Sequence, residues 1–170
     1  MAKRAKTTTV PDPPRSPSTK PRAGSFHIEQ EVLLKAPLAK AWRSLLDVDS
    51  WWCHHYRPGS RLVLEPRAGG RFAEIGPKGF EALFGTVTFI EPRRIVRLNG
   101  PLGMHTLPVN GVYSYELTEV AGGTLLKLSH RAIGLLDTNW AKSHEAGWRE
   151  LWTHLAAFVE TGERYKRAKI

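Results

Sequence analysis

From Ser25 the chain alternates, with Phe26, Ile28, Val32 and Leu34 on one side and His27, Glu29 and Glu31 on the other. This period of two predicts a half-buried strand. Pro37 then suits a first helical turn, where its missing N–H costs nothing, and Leu38, Ala41, Trp42, Leu45 and Leu46 recur at helical spacing. That helix is expected to end near Asp47, followed by a short helix or turn from Val48 to Trp52. Six strands are predicted next, over residues 61–65, 71–75, 81–90, 94–98, 109–119 and 124–131. They are punctuated by Gly69-Gly70, Gly76-Pro77-Lys78-Gly79, Glu91-Pro92, a Gly/Pro-rich stretch over 99–108, and the hairpin signal Ala121-Gly122-Gly123. From Trp140 the period changes again. Trp140, Ala141, Trp148, Leu151, Trp152, Leu155, Phe158 and Val159 fall on one helical stripe that also contains His144.

Helices set apart from one contiguous block of strands predict an α+β fold, an antiparallel sheet covered on one face. The terminal helix is the segment long enough to supply that cover. Tyr113, Tyr115 and Leu117 on one strand, and Leu126, Leu128 and His130 on the next, are expected to face it. The functional question is whether the space between sheet and helix is packed or hollow.

Composition narrows the setting. A chain of 170 residues suits one domain with a sizeable core. The net charge of +9 is concentrated at the ends, with +5 over residues 1–24 and +3 over 163–170, leaving the body close to neutral. Pro/Ser-rich residues 1–24 offer little to bury and are expected to be disordered, with a folded domain over 25–162 and a basic tail over 163–170. Such tails suit a loose anionic partner and act at least as solubilising segments. One cysteine, Cys53, excludes an intramolecular disulfide and fits a reducing compartment. No apolar run reaches the ~18 residues of a membrane span, and no apolar stretch follows the basic start as in a secretory signal. The expected location is the cytoplasm, as monomer or homodimer.

Ala36-Pro37 with Trp42, Leu64-Glu65-Pro66-Arg67-Ala68-Gly69-Gly70-Arg71-Phe72, Gly85-Thr86-Val87 with Ile90-Glu91-Pro92-Arg93-Arg94, Gly122-Gly123-Thr124-Leu125-Leu126, and Gly147-Trp148 with Leu151 and Leu155 occur in one order over residues 25–162. In these stretches the chain resembles the START-like SRPBCC superfamily, the helix-grip or birch-pollen-allergen-like fold. Within it the likeness is greatest to the group related to activators of the heat-shock protein Hsp90 ATPase. The resemblance implies a curved antiparallel sheet of six or seven strands wrapped around the C-terminal helix, with two short helices after the first strand and a cavity between sheet and helix. It implies no single activity, since members bind lipids, hormones or aromatic metabolites, act on polyketides, or serve as cochaperones. No universal catalytic motif comes with it, so no catalytic residue is assigned.

Candidate chemistry lies in three places. Trp51-Trp52-Cys53-His54-His55-Tyr56 offers a thiol and two imidazoles. Adjacent residues point in different directions, however, and no second cluster completes a familiar zinc spacing, so neither metal nor cofactor is assigned. Trp51 or Trp52 is expected to plug the cavity mouth, with both histidines facing solvent. His144 lies inside the apolar stripe one turn before Trp148, and His130 ends the inward face of the last strand. With Tyr113, Tyr115 and Glu74 they would give a mostly apolar pocket a few orienting polar groups, with Trp42, Trp148 and Trp152 as walls or adjoining core. A lone histidine on an apolar face is usually a core residue with a hydrogen-bond partner, and that is the competing reading of His144. Gly69-Gly70 and Gly122-Gly123 lack the helix and Lys-Ser/Thr ending of a phosphate loop and read as turns. Residues 93–97 alternate as a strand with a solvated face and lack interleaved aromatics, so no specific nucleic-acid binding is expected.

Three functions follow from these residues. One is binding of a small hydrophobic or aromatic ligand, such as a lipid or polyketide-like metabolite, in the cavity. The second is a cofactor-independent cyclase, dehydratase or hydrolase with a histidine base and tyrosine donor in the same cavity. The third is a cochaperone-like regulator, which would need an exposed apolar patch. The chain reads as one domain without the additional N-terminal domain of full-length heat-shock ATPase activators, which counts against the third.

Overall fold

A computed structural model describes residues 20–166. Strand β1 spans Arg22–Leu34, helices α1 and α2 span Leu38–Leu46 and Val48–Trp51, and strands β2 (Arg61–Leu64), β3 (Arg71–Ile75), β4 (Glu81–Glu91), β5 (Ile95–Gly100), β6 (Val109–Val120) and β7 (Gly123–Leu136) follow. Helix α3 closes the fold over Trp140–Thr161. The seven strands form one antiparallel sheet in the order β1-β7-β6-β5-β4-β3-β2. It is a meander from β2 to β7 with β1 laid beside the last strand. Register shifts at Phe72/Ala73 and Val87/Phe89 bend the sheet. This is the α+β helix-grip architecture.

The alternating pattern sorts residues as expected. Tyr113, Tyr115, Leu117, Leu126, Leu128 and His130 are all buried beneath α3. Two boundaries differ from the sequence expectation. β1 begins at Arg22, inside the segment expected to be disordered, and β7 runs to Leu136, beyond the predicted end at Arg131. Each extended end supplies the other's backbone partners, from Arg22↔Leu136 to Gly24↔Gly134, although neither end carries a convincing pattern alone. Gly134 hides the end of β7 because it sits at φ 147°, where a Cβ would collide with the Pro108 carbonyl.

α3 ends on Gly162, whose left-handed φ of 78° turns the chain out of the helix. Beyond it the Tyr165 N–H donates to the Ser50 carbonyl at 2.8 Å and its ring meets His154 at 4.7 Å, so the start of the expected C-terminal tail is docked on α2. The expectations for residues 1–19 and 167–170 lie outside the described residues.

Aromatic rings fill the centre of the grip. Trp148 and Trp152 stack at 5.2 Å, Tyr115 meets both rings edge-on, and Trp51 lies 6.4 Å from Trp152. Each such pair adds about 0.5–1.5 kcal/mol to the burial of its rings. Two of the indole N–H groups are satisfied from the frame: Trp51 Nε1 donates to Ser44 O at 3.0 Å, and Trp152 Nε1 donates to Gln30 Oε1 at 2.9 Å. Gln30 in turn donates to Glu145 O at 2.9 Å, tying β1 to α3.

Candidate functional site

The middle of the space between sheet and helix is therefore packed, and the hollow lies at one end. A cavity of about 290 Å³ opens between the N-terminal half of α3, the segment after α2, and the loop joining β5 to β6. Trp52, His54, His55 and Tyr56 form one wall, Phe84 the floor, Leu102 and Gly103 the roof, and Ser143, His144, Gly147, Trp148 and Leu151 the helix side. Most of this surface is apolar. A wider hollow of about 520 Å³ across β1, β6 and β7 has walls of mixed polarity and is less suited to an apolar molecule.

Of the ten pocket candidates, Trp52, His144 and Trp148 line the cavity. Trp42, Trp51, Tyr113, Tyr115 and Trp152 are buried in the aromatic core, where ring volume leaves no room for a ligand. The Tyr113 hydroxyl donates to Phe84 O at 3.1 Å, and burial holds both tyrosines well above the usual phenol pKa, with the Tyr113 charge a second cause for Tyr115.

Glu74 and His130 are buried outside the cavity lining. The Glu74 carboxylate accepts from the backbone N–H of Tyr56 at 2.8 Å, from that of Arg57 at 2.9 Å, and from the Ser60 hydroxyl at 2.5 Å. It shapes the loop that becomes the cavity wall. His55 is not solvent-facing as expected: its Nε2 lies 3.0 Å from Trp52 O and its Nδ1 lies 4.0 Å from Glu74 Oε1. The carboxylate and the tryptophan carbonyl draw the ring inward.

His130 accepts the Trp148 indole N–H on Nδ1 at 3.2 Å. Burial, then the neighbouring His144, lowers its pKa to about 3. His144 lies 5.4 Å from it between ring centroids, yet its own nitrogens address the backbone: Nδ1 is 2.9 Å from Trp140 O and Nε2 is 3.2 Å from Leu102 O. A neutral imidazole donates to one of these carbonyls and turns its lone pair towards the other, so both ring nitrogens are directed at backbone oxygens.

The roof is held from several sides. The Tyr56 hydroxyl donates to Gly103 O at 2.7 Å and lies 2.9 Å from His105 Nδ1, while His105 Nε2 is 2.7 Å from Leu83 O. Burial and then the Glu74 charge push the Tyr56 phenol up to about 12. The Leu102 N–H donates to Phe84 O at 3.0 Å.

At the mouth, Cys53, His54 and Glu150 bring one potential metal-ligating atom each to within 4.8 Å of one another. His54 Nε2 is 3.7 Å from Glu150 Oε2. Burial, then the Glu150 charge, pushes the Cys53 thiol up to about 11. The sequence hid this group because its third member comes from the far end of the chain.

The sequence reading also missed Tyr56, Phe84, Leu102, Gly103 and the helix column Ser143, Gly147, Leu151. That column carried a signal: small residues one turn apart beside the aromatic stripe mark where α3 has too little volume to fill the grip.

The profile of the activator of Hsp90 ATPase homolog 1-like protein family matches residues 35–160. The chain belongs to this family. Its helix-grip fold and matched stretch agree with the START-like resemblance read from the sequence. Solved structures share the Hsp90-activator-homolog fold. A protein from Chromobacterium violaceum is 22% identical with a TM-score of 0.60, the match covering 79% of this chain and 96% of that one. An uncharacterised protein from Rhizobium leguminosarum is 19% identical with a TM-score of 0.65, covering 84% and 99%. A Staphylococcus aureus protein of unknown function is 16% identical with a TM-score of 0.60, covering 82% and 96%. At these identities the likeness is one of fold. No curated protein matches this member of the activator-homolog family. No helix among its described residues is long and apolar enough to cross a membrane.

Proposed function

We propose that the protein binds a small, predominantly apolar or aromatic molecule in the cavity between the first half of α3, the residue 52–56 wall and the Leu102–Gly103 roof. The observation that carries this reading is an apolar hollow of about 290 Å³ edged by a few polar groups, at the lower end of the ~300–1,000 Å³ typical of small-molecule sites. Folds of this kind commonly hold hydrophobic ligands. Trp52 and Trp148 supply flat walls, and Ser143 and His54 supply hydrogen-bonding groups at the edge. The volume favours a molecule of one or two rings over a full-length lipid. The lone cysteine favours the cytoplasm, where we place the protein as a monomer or homodimer.

Catalysis gains no comparable support. His130 is too weak a base, and both nitrogens of His144 face backbone carbonyls. Exposed apolar side chains such as Leu33, Phe89 and Ile133 are distributed over several strands and do not favour a cochaperone surface over the cavity.

The test is titration with an anilinonaphthalene probe, following probe and tryptophan fluorescence. One probe per chain is expected. Gly147→Phe, which projects a ring into the cavity, should weaken binding about tenfold or more, the equivalent of ~1.4 kcal/mol, with the melting transition retained. Equal binding by both proteins would overturn the reading.

A further inference from the structure

We propose that Cys53, His54 and Glu150 form a binding site for a thiophilic divalent cation, with Zn²⁺ the best match, at the mouth of the cavity. The site stands independently of whatever fills the hollow behind it.

Three observations carry the inference. First, thiol sulfur, imidazole nitrogen and carboxylate oxygen are the three side-chain donors that Zn²⁺ takes, and the structure gathers one of each from two separate parts of the chain to within 4.8 Å. Tetrahedral zinc with these donors places neighbouring ligand atoms about 3.4–3.6 Å apart. His54 Nε2 and Glu150 Oε2 already stand at 3.7 Å, and no other separation has to close by more than about 1.4 Å.

Second, the donors rest on rigid supports. Cys53 and His54 directly follow buried Trp51 and Trp52. Glu150 sits on α3 between buried Trp148 and Leu151. The aromatic core fixes both backbones while leaving the three side chains at least partly open to solvent. His55, the other histidine of the run, is committed to Glu74 and Trp52 O, so the ligand set selects His54.

Third, Gly147 precedes Glu150 by one turn on the same face of α3 and lies against the His54 ring. A Cβ there would lie 3.4 Å from Nε2. His54 and Gly147 also line the cavity, so a metal held by His54 would lie at its edge. Three protein ligands and one open position describe a site that exchanges its fourth ligand, unlike a closed structural zinc site.

The experiment uses the full chain freed of metal with a chelator. Zn²⁺ is titrated in competition with a chromophoric chelator, and Co²⁺ is added separately as a spectroscopic probe. One Zn²⁺ per chain is expected, and Co²⁺ should give a thiolate-to-metal charge-transfer band. Cys53→Ser should abolish that band. Cys53→Ser, His54→Ala and Glu150→Gln should each weaken Zn²⁺ binding by more than the ~10–100-fold that outer-shell partners are worth. The Co²⁺ spectrum of the unaltered chain needs no variant, so it decides even if a variant folds poorly. Absence of stoichiometric uptake, absence of the thiolate band, or uptake unchanged in Cys53→Ser would each overturn the proposal. Anilinonaphthalene binding by the metal-free chain is read separately, so failure here and failure of the cavity reading are distinguishable.

Discussion

The indole N–H of Trp148 donates to Nδ1 of His130 at 3.2 Å. The bond fixes the tautomer, placing the His130 proton on Nε2, which has no protein partner among the described residues and lies beside Gly111. Protonating Nδ1 would remove the acceptor Trp148 uses and would place a charge in a site closed to water. The pair therefore joins the cavity wall to the sheet as a neutral unit.

This neutrality has a pH signature. The His130 pKa falls from 6.5 to about 3 on folding, so between these values the unfolded chain holds a proton that the folded chain does not. Its contribution to stability is complete above pH 6.5 and declines as pH falls towards 3. Thermal melts across this window should show a stability slope approaching one proton for this group. His130→Gln, which keeps an acceptor but does not titrate, should lose that component. An unchanged slope would show that His130 takes up its proton in the folded state as readily as in the unfolded one.

Glu74 is expected to act on the cavity through its wall. Glu74→Ala leaves the Tyr56 and Arg57 backbone N–H groups without their acceptor, while the Ser60 hydroxyl keeps Arg57 O at 2.6 Å, at a cost of about 2 kcal/mol or more. Denaturant unfolding should report that loss. Glu74→Gln, which keeps one carbonyl acceptor, should cost less, so the order Ala worse than Gln is the expected result.

Much of the frame was legible in the sequence, and the reasons are local. Period-two alternation at Tyr113–Leu117 and Leu126–His130 needs only one buried face to be correct, and the α3 stripe declares its inward side in the same way. The cavity was less legible because it depends on where volume is missing. Trp148 and Trp152 occupy adjacent turns of one stripe, yet the former edges the hollow and the latter is sealed in the core by Gln30. Gln30 itself sits on the inward side of β1, a position whose role is visible only once α3 is laid across it. Glu74 likewise resembled a pocket carboxylate until its backbone partners, some 17 residues earlier in the chain, were in place.

The roof is expected to loosen when its tyrosine anchor is removed. Tyr56→Phe deletes the donor to Gly103 O and about 1 kcal/mol with it. Hydrogen exchange at the Leu102 and Met104 amides, which bond to Phe84 O and Pro101 O, should quicken about fivefold, as that loss allows. Exchange at β6 and β7 should stay unchanged. Equal protection in both proteins would mean that His105 and His144 hold the roof unaided.

The most direct test of the cavity reading is the indole N–H spectrum of the protein titrated with a small aromatic probe. Trp52 and Trp148 line the hollow, whereas the indoles of Trp51 and Trp152 are bonded to Ser44 O and Gln30 within the core. Binding in the cavity predicts saturable shifts at Trp52 and Trp148, accompanied by the Gly147 and Leu102 amides, with Trp51 and Trp152 nearly still. Shifts confined to the outer sheet face around Val112 and Ile133, or none at saturating probe, would contradict it.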